Sequence, residues 1–112
     1  MDYVLTGNVP EGNYTARYDG CEEFEGKFGP SLSHKWTLVG GEYDGEQVSR
    51  AVGTKPTMKN AAGDFLRAIV GRTPDRTERI NFAKFVGEKY QVVVEQTESG
   101  STRVKVAIRV TA

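Results

Sequence analysis

The sequence has only one cysteine and one histidine among its 112 residues. Cys21 therefore cannot form an internal disulfide, and no second Cys or group of His residues offers a recognisable metal-ligand spacing. Residues 1–6 lack the basic region and apolar run of a signal peptide, and no stretch of roughly 18 apolar residues occurs. These absences predict a soluble cytoplasmic protein that uses no cofactor, no metal and no membrane.

A set of residues suited to catalysis is also missing. An enzyme needs a nucleophile, acid, base or metal that converge on one point. His34 alternates in phase with Trp36, which predicts a residue in the wall of a β-structure. Cys21 precedes Glu22 and Glu23, whose charges raise the pKa of a thiol. The sequence thus predicts a binding module rather than an enzyme.

The charges sum to zero but are unevenly placed along the chain. Residues 1–48 carry nine acids and three bases, whereas residues 49–112 carry twelve bases and six acids. One interpretation is a basic face that binds a polyanion, and the other is that the two halves attract each other within the fold.

Short alternating stretches separated by glycine predict a single mostly-β domain over residues 1–112, with a core over about 8–111. Five strands are predicted, at residues 13–21, 32–39, 47–52, 90–94 and 104–110. The last strand should turn Val104, Val106, Ile108 and Val110 to the core and Arg103, Lys105 and Arg109 away from it.

One segment has helical periodicity instead. Apolar residues recur at intervals of three and four from Met58 to Val70, which predicts a helix between the third and fourth strands. Thr57 is the expected N-cap, and Gly71 the expected left-handed residue after the last turn.

Two connections carry phenylalanines. Residues 22–30 combine charge, glycine and proline, so we expect an exposed loop that presents Phe24 and Phe28. After a polar connection at 72–81, Phe82 and Phe85 are expected to plug one end of a barrel.

Five strands with a helix after the third form the plan of the OB-fold, a partly open barrel that commonly binds oligonucleotides. The sequence also contains, in order, Pro-Glu-Gly-Asn-Tyr at 10–14, Trp-Thr-Leu-Val at 36–39, Gly-Glu-Tyr-Asp-Gly-Glu-Gln-Val at 41–48, Pro-Thr-Met-Lys-Asn at 56–60 and Phe-Val-Gly-Glu-Lys-Tyr at 85–90. Together these motifs resemble small phage and prophage proteins regarded as single-stranded-DNA-binding-like OB domains. The resemblance covers residues 8–110 and implies a five-stranded OB-like barrel.

Binding of single-stranded nucleic acid needs cations near the phosphates and exposed aromatics on which bases stack. The candidate residues are Phe24, Lys27, Phe28, Lys35, Arg50, Arg103 and Lys105. The alternatives are that the phenylalanines fold back into the core and that the bases only solubilise the surface.

The predicted function is therefore binding of single-stranded DNA in phage or prophage replication or recombination, in the cytoplasm of a bacterial host. The alternative is a structural or protein-interaction domain, in which the acidic first half docks a basic partner or strand edges pair with another copy of the chain.

Overall fold

The computed structural model describes residues 9–27, 29–97 and 102–110 as one antiparallel sheet with a helix packed on it. The strands are β1 (Gly12–Gly26), β2 (Gly29–Leu38), β3 (Gln47–Gly53), β4 (Lys89–Gln96) and β5 (Thr102–Arg109). Helix α1 (Ala61–Val70) and a 3₁₀ turn, η1 (Phe82–Phe85), lie between β3 and β4. The structure thus confirms five strands with a helix after the third.

The strand order is β3-β2-β1-β4-β5, so β3 and β5 are the two edges of the sheet. Among the described residues these edges form no backbone ladder with each other, and the sheet is therefore not closed into a barrel.

The core lies on one face of this sheet, under α1. Trp36, Tyr18 and Tyr90 are fully buried there, and Phe65 and Ile69 of α1 pack onto them. His34 is also buried, in phase with Trp36 as its alternation predicted. Phe82 and Phe85 of η1 are partly buried against the same cluster, although the sheet they pack on is not a closed barrel. One hydrophobic face of the sheet and one face of a single short helix therefore provide the core.

The predicted loop at 22–30 is wrong in extent. Strand β1 runs on to Gly26, and its ladder with β2 continues until Gly26 pairs with Gly29. Phe24 is therefore a strand residue opposite Ser31, and only a tight turn around Lys27 remains. Continuous pairing with β2 supplies backbone hydrogen bonds that a charged, glycine-containing sequence does not reveal. Phe28 lies outside the described residues.

The helix begins later than predicted. Asn60, not Thr57, is the N-cap, because its side-chain oxygen accepts hydrogen bonds from the N–H groups of Gly63 at 2.8 Å and Thr57 at 3.0 Å. Met58 precedes the helix and is exposed. Gly71 ends the helix with a φ of 85°, as predicted. No helix in the described part of the chain is long and apolar enough to cross a bilayer.

The predicted faces of β5 are confirmed for buried Val104 and for exposed Arg103 and Lys105. They are wrong for Val106, Ile108 and Val110, which are exposed, and for Arg109, which is partly buried. Its register with β4 shifts between Val93 and Val94, which inserts one extra residue and reverses the alternation beyond it. Val104 and Ala107 are buried, whereas Val106 and Ile108 face outward.

Candidate nucleic-acid interface

Arg50 lies where the two edges of the sheet approach each other. It is opposite His34 in the β2–β3 ladder, so its side chain lies on the core face and is 16% exposed. Its Nη1 donates a hydrogen bond to the carbonyl oxygen of Val104 on β5 at 3.2 Å. Its guanidinium lies 5.3 Å from the centre of the Phe65 ring. Arg50 thus links β3, β5 and α1 at the point where the backbone ladder is open.

A second arginine joins Arg50 at this seam. Glu95 accepts a hydrogen bond from Arg103 Nε at 2.7 Å and lies 4.0 Å from Arg50 Nη1. Burial, followed by repulsion from Arg103, lowers the pKa of Arg50. The hydrogen bond from Arg103 is the main reason that the pKa of Glu95 is lowered. Two cations thus share one carboxylate, which leaves the seam positively charged.

A groove of about 490 Å³ runs between α1 and β5 and continues this positive surface. We call it the basic groove. Val106, which is 41% exposed, contributes apolar surface, and Lys105 also lies on the β5 side. Arg67 and Arg72 line the α1 side, where they pair with Asp64 and Glu78.

Five bases at the seam and the groove face three acids, which gives a net charge of plus two; the bases are Arg50, Arg67, Arg72, Arg103 and Lys105, and the acids are Asp64, Glu78 and Glu95. Lys105 is exposed and makes no ion pair with any other residue in the described ranges. The groove therefore offers cations for phosphates and some exposed apolar surface, while the one aromatic residue that lines it, Phe65, is only 3% exposed.

The β1–β2 hairpin holds a separate part of the predicted site. Phe24 is 41% exposed and, with Lys27, lines a shallow cavity of about 370 Å³ that also contacts Ala51 and Gly53 of β3. Glu22, Glu23 and Glu25 are exposed on the same hairpin. Lys35 lies on the outer face of β2 and is neutralised by Glu22 at 3.1 Å. The hairpin thus supplies an aromatic surface without an excess of positive charge.

The structure therefore divides the predicted residues into two groups. Arg50, Arg103 and Lys105 come together at the seam and the basic groove, whereas Phe24 and Lys27 meet at the end of the hairpin. The two groups lie on opposite faces of β3, because Arg50 lines the groove on the core face and the following residue, Ala51, lines the hairpin cavity on the outer face.

Sequence reasoning missed Arg67 and Arg72 as parts of this surface, and the contact of Arg50 with the buried Phe65. The periodicity of the helix places Phe65 on its apolar face, but it does not say which strand that face meets. The basic excess after residue 48 was the one available signal, and it does not specify a surface.

Seven ion pairs connect described residues, and in each of them both partners come from the same half of the chain. Arg17 with Asp19 and Lys35 with Glu22 belong to the first half, and the other five pairs belong to the second. These ion pairs give no support to the interpretation that the halves attract each other. The charge polarity of the sequence is instead expressed at the surface.

His34 is buried, and Cys21 is partly buried. The hydroxyl of Tyr18 lies 2.8 Å from Nδ1 of His34, and burial lowers the pKa of that imidazole to about 4. Burial is also the main cause of the raised pKa of the Cys21 thiol. In the described ranges no three His, Cys, Asp or Glu residues are grouped so that they could hold a metal ion.

Neither models of known protein families nor curated proteins match this chain. Its function is therefore inferred from its own residues and their geometry.

Proposed function

We propose that this chain is a non-enzymatic OB-like module that binds single-stranded DNA, in the replication or recombination machinery of a phage or prophage. The strand order and the position of α1 after β3 support a partly open OB-like barrel. Arg50 supports it further, since its side chain spans the two sheet edges that an OB barrel brings together.

The basic groove is the single observation that carries the DNA-binding proposal. Lys105, together with the excess charge of Arg50 and Arg103, provides cations for phosphates. Val106 offers exposed apolar surface for sugars and base faces. An unpaired strand exposes its bases, so the combination of cations and apolar surface in the groove favours single-stranded over double-stranded DNA.

The hairpin extends the proposed path. A strand leaving the groove across the β3 edge would reach Phe24, whose exposed ring provides a stacking surface. Base stacking on an aromatic ring is worth roughly 1–3 kcal/mol per base. Phe24 would thus add affinity, while the phosphates remain at the groove, away from Glu22, Glu23 and Glu25.

A labelled oligothymidylate titrated into the protein at several salt concentrations tests this proposal. We expect the logarithm of the binding constant to fall linearly with the logarithm of salt concentration, because phosphate contacts release counterions. Lys105→Gln should reduce that slope by about 0.7, the value for one lost contact with a single strand. Phe24→Ala should weaken binding by roughly fivefold or more while leaving the slope unchanged.

Lys84→Gln is the matched control, because Lys84 is an exposed lysine of η1 outside the groove. It should leave both affinity and slope close to those of the unmodified chain. Absence of binding at low salt, or equal effects of the two lysine substitutions, would contradict the proposal.

A protein-interaction role is the second candidate, and the outer face of β5 favours it. Val106 and Ile108 are 41% and 60% exposed there, next to each other on alternate positions. Exposed apolar β-branched residues on an edge strand promote association with another protein or with a second copy of the chain. A defined oligomer in light scattering, combined with no oligonucleotide binding, would favour this role over DNA binding.

A further inference from the structure

Strand β1 has a partner on both sides over only part of its length. Strand β4 pairs with residues Gly12–Arg17 of β1. The next residue, Tyr18, exchanges backbone hydrogen bonds of 2.9 Å with Gly87 and Glu88. From Cys21 to Gly26 the described residues provide a ladder only with β2. No described residue therefore pairs with the second edge of this segment, which leaves that edge available to another strand.

A cleft of about 660 Å³ lies beside this open edge, between β1 and residues 80–86. We call it the edge cleft. Leu32, Phe82 and Val86 give it apolar walls, and Val86 is 52% exposed. Three acids and one base line it, which gives a net charge of minus two; these are Asp19, Glu22, Glu23 and Lys35.

Two of the acids have partners, but Glu23 does not. Asp19 accepts a hydrogen bond from Thr37 and lies 3.7 Å from Arg17, and Glu22 pairs with Lys35. Glu23 is exposed, and no described residue pairs with it. A cation brought by a ligand would therefore find an uncompensated carboxylate directly on the open edge.

From these features we infer that the edge cleft binds an extended, basic segment of a partner protein by strand addition. The backbone of the segment would pair with the edge at Cys21–Gly26, as in other complexes formed by strand addition. Successive side chains of a strand lie on opposite faces, so a cation on either face of the segment would meet a carboxylate, Glu22 on one face and Glu23 on the other. Apolar residues of the segment would contact Phe82 and Val86.

A protein segment fits this cleft better than a nucleic acid does. The net negative charge of the edge cleft repels phosphates, whereas the basic groove attracts them. The two surfaces thus favour ligands of opposite charge, and this inference does not depend on DNA binding by the groove.

A labelled peptide of alternating lysine and valine, about ten residues long, is a suitable probe for the full chain, since a typical strand has about five or six residues. Fluorescence anisotropy at low salt should show binding that weakens as salt is added. Methylation of alternate backbone nitrogens removes the N–H donors that pair with the edge, and we expect this peptide not to bind. A peptide of alternating glutamate and valine should not bind either.

Glu23→Gln should weaken binding of the lysine–valine peptide by about fivefold, the effect of losing a roughly 1 kcal/mol charge interaction. Glu42→Gln is the matched control, because Glu42 is an exposed carboxylate outside the cleft. Neither substitution should weaken oligonucleotide binding, which separates this inference from the proposed function.

Three results would overturn the inference: no binding of the lysine–valine peptide at low salt, equal affinity for its methylated form, or equal loss of affinity in the two glutamate variants. Association of the chain with itself that is abolished by Glu23→Gln would also overturn it, because the occupant of the cleft would then be a second copy rather than a different protein.

Discussion

His34 shows how a polar residue is accommodated in an apolar core. Its ring lies 4.8 Å from that of Phe82 and 6.4 Å from that of Phe65, measured between ring centres. The hydrogen bond with the Tyr18 hydroxyl satisfies Nδ1. Because burial lowers its pKa to about 4, the imidazole is neutral near pH 7.

The lowered pKa of His34 makes stability depend on pH. In the unfolded chain a histidine has a pKa near 6.5, so it is protonated below that pH. In the folded chain His34 is not protonated until the pH falls to about 4, so between these two values the unfolded state binds one more proton than the folded state. The free energy of unfolding should therefore be highest above pH 6.5 and fall as the pH decreases towards 4. Between pH 7 and pH 5 we expect a loss of about 2 kcal/mol, measured by urea denaturation.

His34→Gln separates this effect from the carboxylates, which titrate in both proteins. The variant should be less stable at pH 7, because it disrupts the Tyr18 hydrogen bond and the ring packing. Its stability should nevertheless change less between pH 7 and pH 5 than that of the unmodified chain. Identical pH dependence in the two proteins would show that His34 does not titrate as stated.

At the scale of elements, α1 shows what the sequence can predict and what it cannot. Phe65 and Ile69 recur at helical spacing and are buried, so the body of the helix and its end at Gly71 were predictable. Met58 fits the same spacing but is exposed, because Asn60 starts the helix after it. The helical spacing of apolar residues continues back to Met58, although the cap at Asn60 keeps Met58 out of the helix. Which residue forms the cap depends on local geometry, which the spacing does not show.

Strand β5 shows a second limit. Its alternation predicted the strand correctly but assigned Val106 and Ile108 to the wrong face. One extra residue at the register shift reverses the faces, and nothing in the alternating pattern marks its position. The same shift is what exposes this apolar surface.

Glycine is a poor helix former, yet Gly63 lies within α1, and the structure gives the reason. A Cβ at this position would lie 1.7 Å from the backbone oxygen of Thr57. Gly63→Ala should therefore destabilise the protein by about 1–3 kcal/mol, the usual cost of overpacking, although alanine favours an isolated helix. Thermal or urea unfolding measures this.

The control for Gly63 is Gly53→Ala, at the end of β3. A Cβ at Gly53 meets no atom within 4 Å, so its substitution should change the free energy of unfolding by less than about 1 kcal/mol. A stabilising effect of Gly63→Ala would mean that residues 54–57 move away at no cost.

At the scale of the whole molecule, the sequence identified several of the cations but not their arrangement. Arg50 and Arg103 are far apart in the sequence, and they meet because the sheet curls until its two edges, β3 and β5, come into contact. The sequence predicts Phe24 in the same binding site as Arg50 and Arg103, yet Phe24 lies on the β1–β2 hairpin among carboxylates. Residue types indicate the chemistry of a surface, whereas only strand order and register determine which residues share it.

Arg50 connects β3 and β5 through its side chain, because no backbone ladder joins the described residues of these two strands. Its removal should therefore weaken the contact between the two edges. Arg50→Met removes the hydrogen bond to Val104 and the contact of the guanidinium with Phe65. Hydrogen bonds to charged groups are worth roughly 1.5–3 kcal/mol, so we expect a loss of about 2 kcal/mol in urea denaturation. Hydrogen exchange should also accelerate at the backbone amides of β3 and β5 more than at those of β1, because the two edges would separate first.

Arg103→Met is the matched control for this variant. Arg103 pairs with the same Glu95, but its side chain is 46% exposed and it does not bridge to β3. Its loss should cost at most about 1 kcal/mol, as for other exposed ion pairs. If the two variants are equally stable, the sheet edges are held together by the packing of α1 alone, and the approach of β3 to β5 does not depend on Arg50.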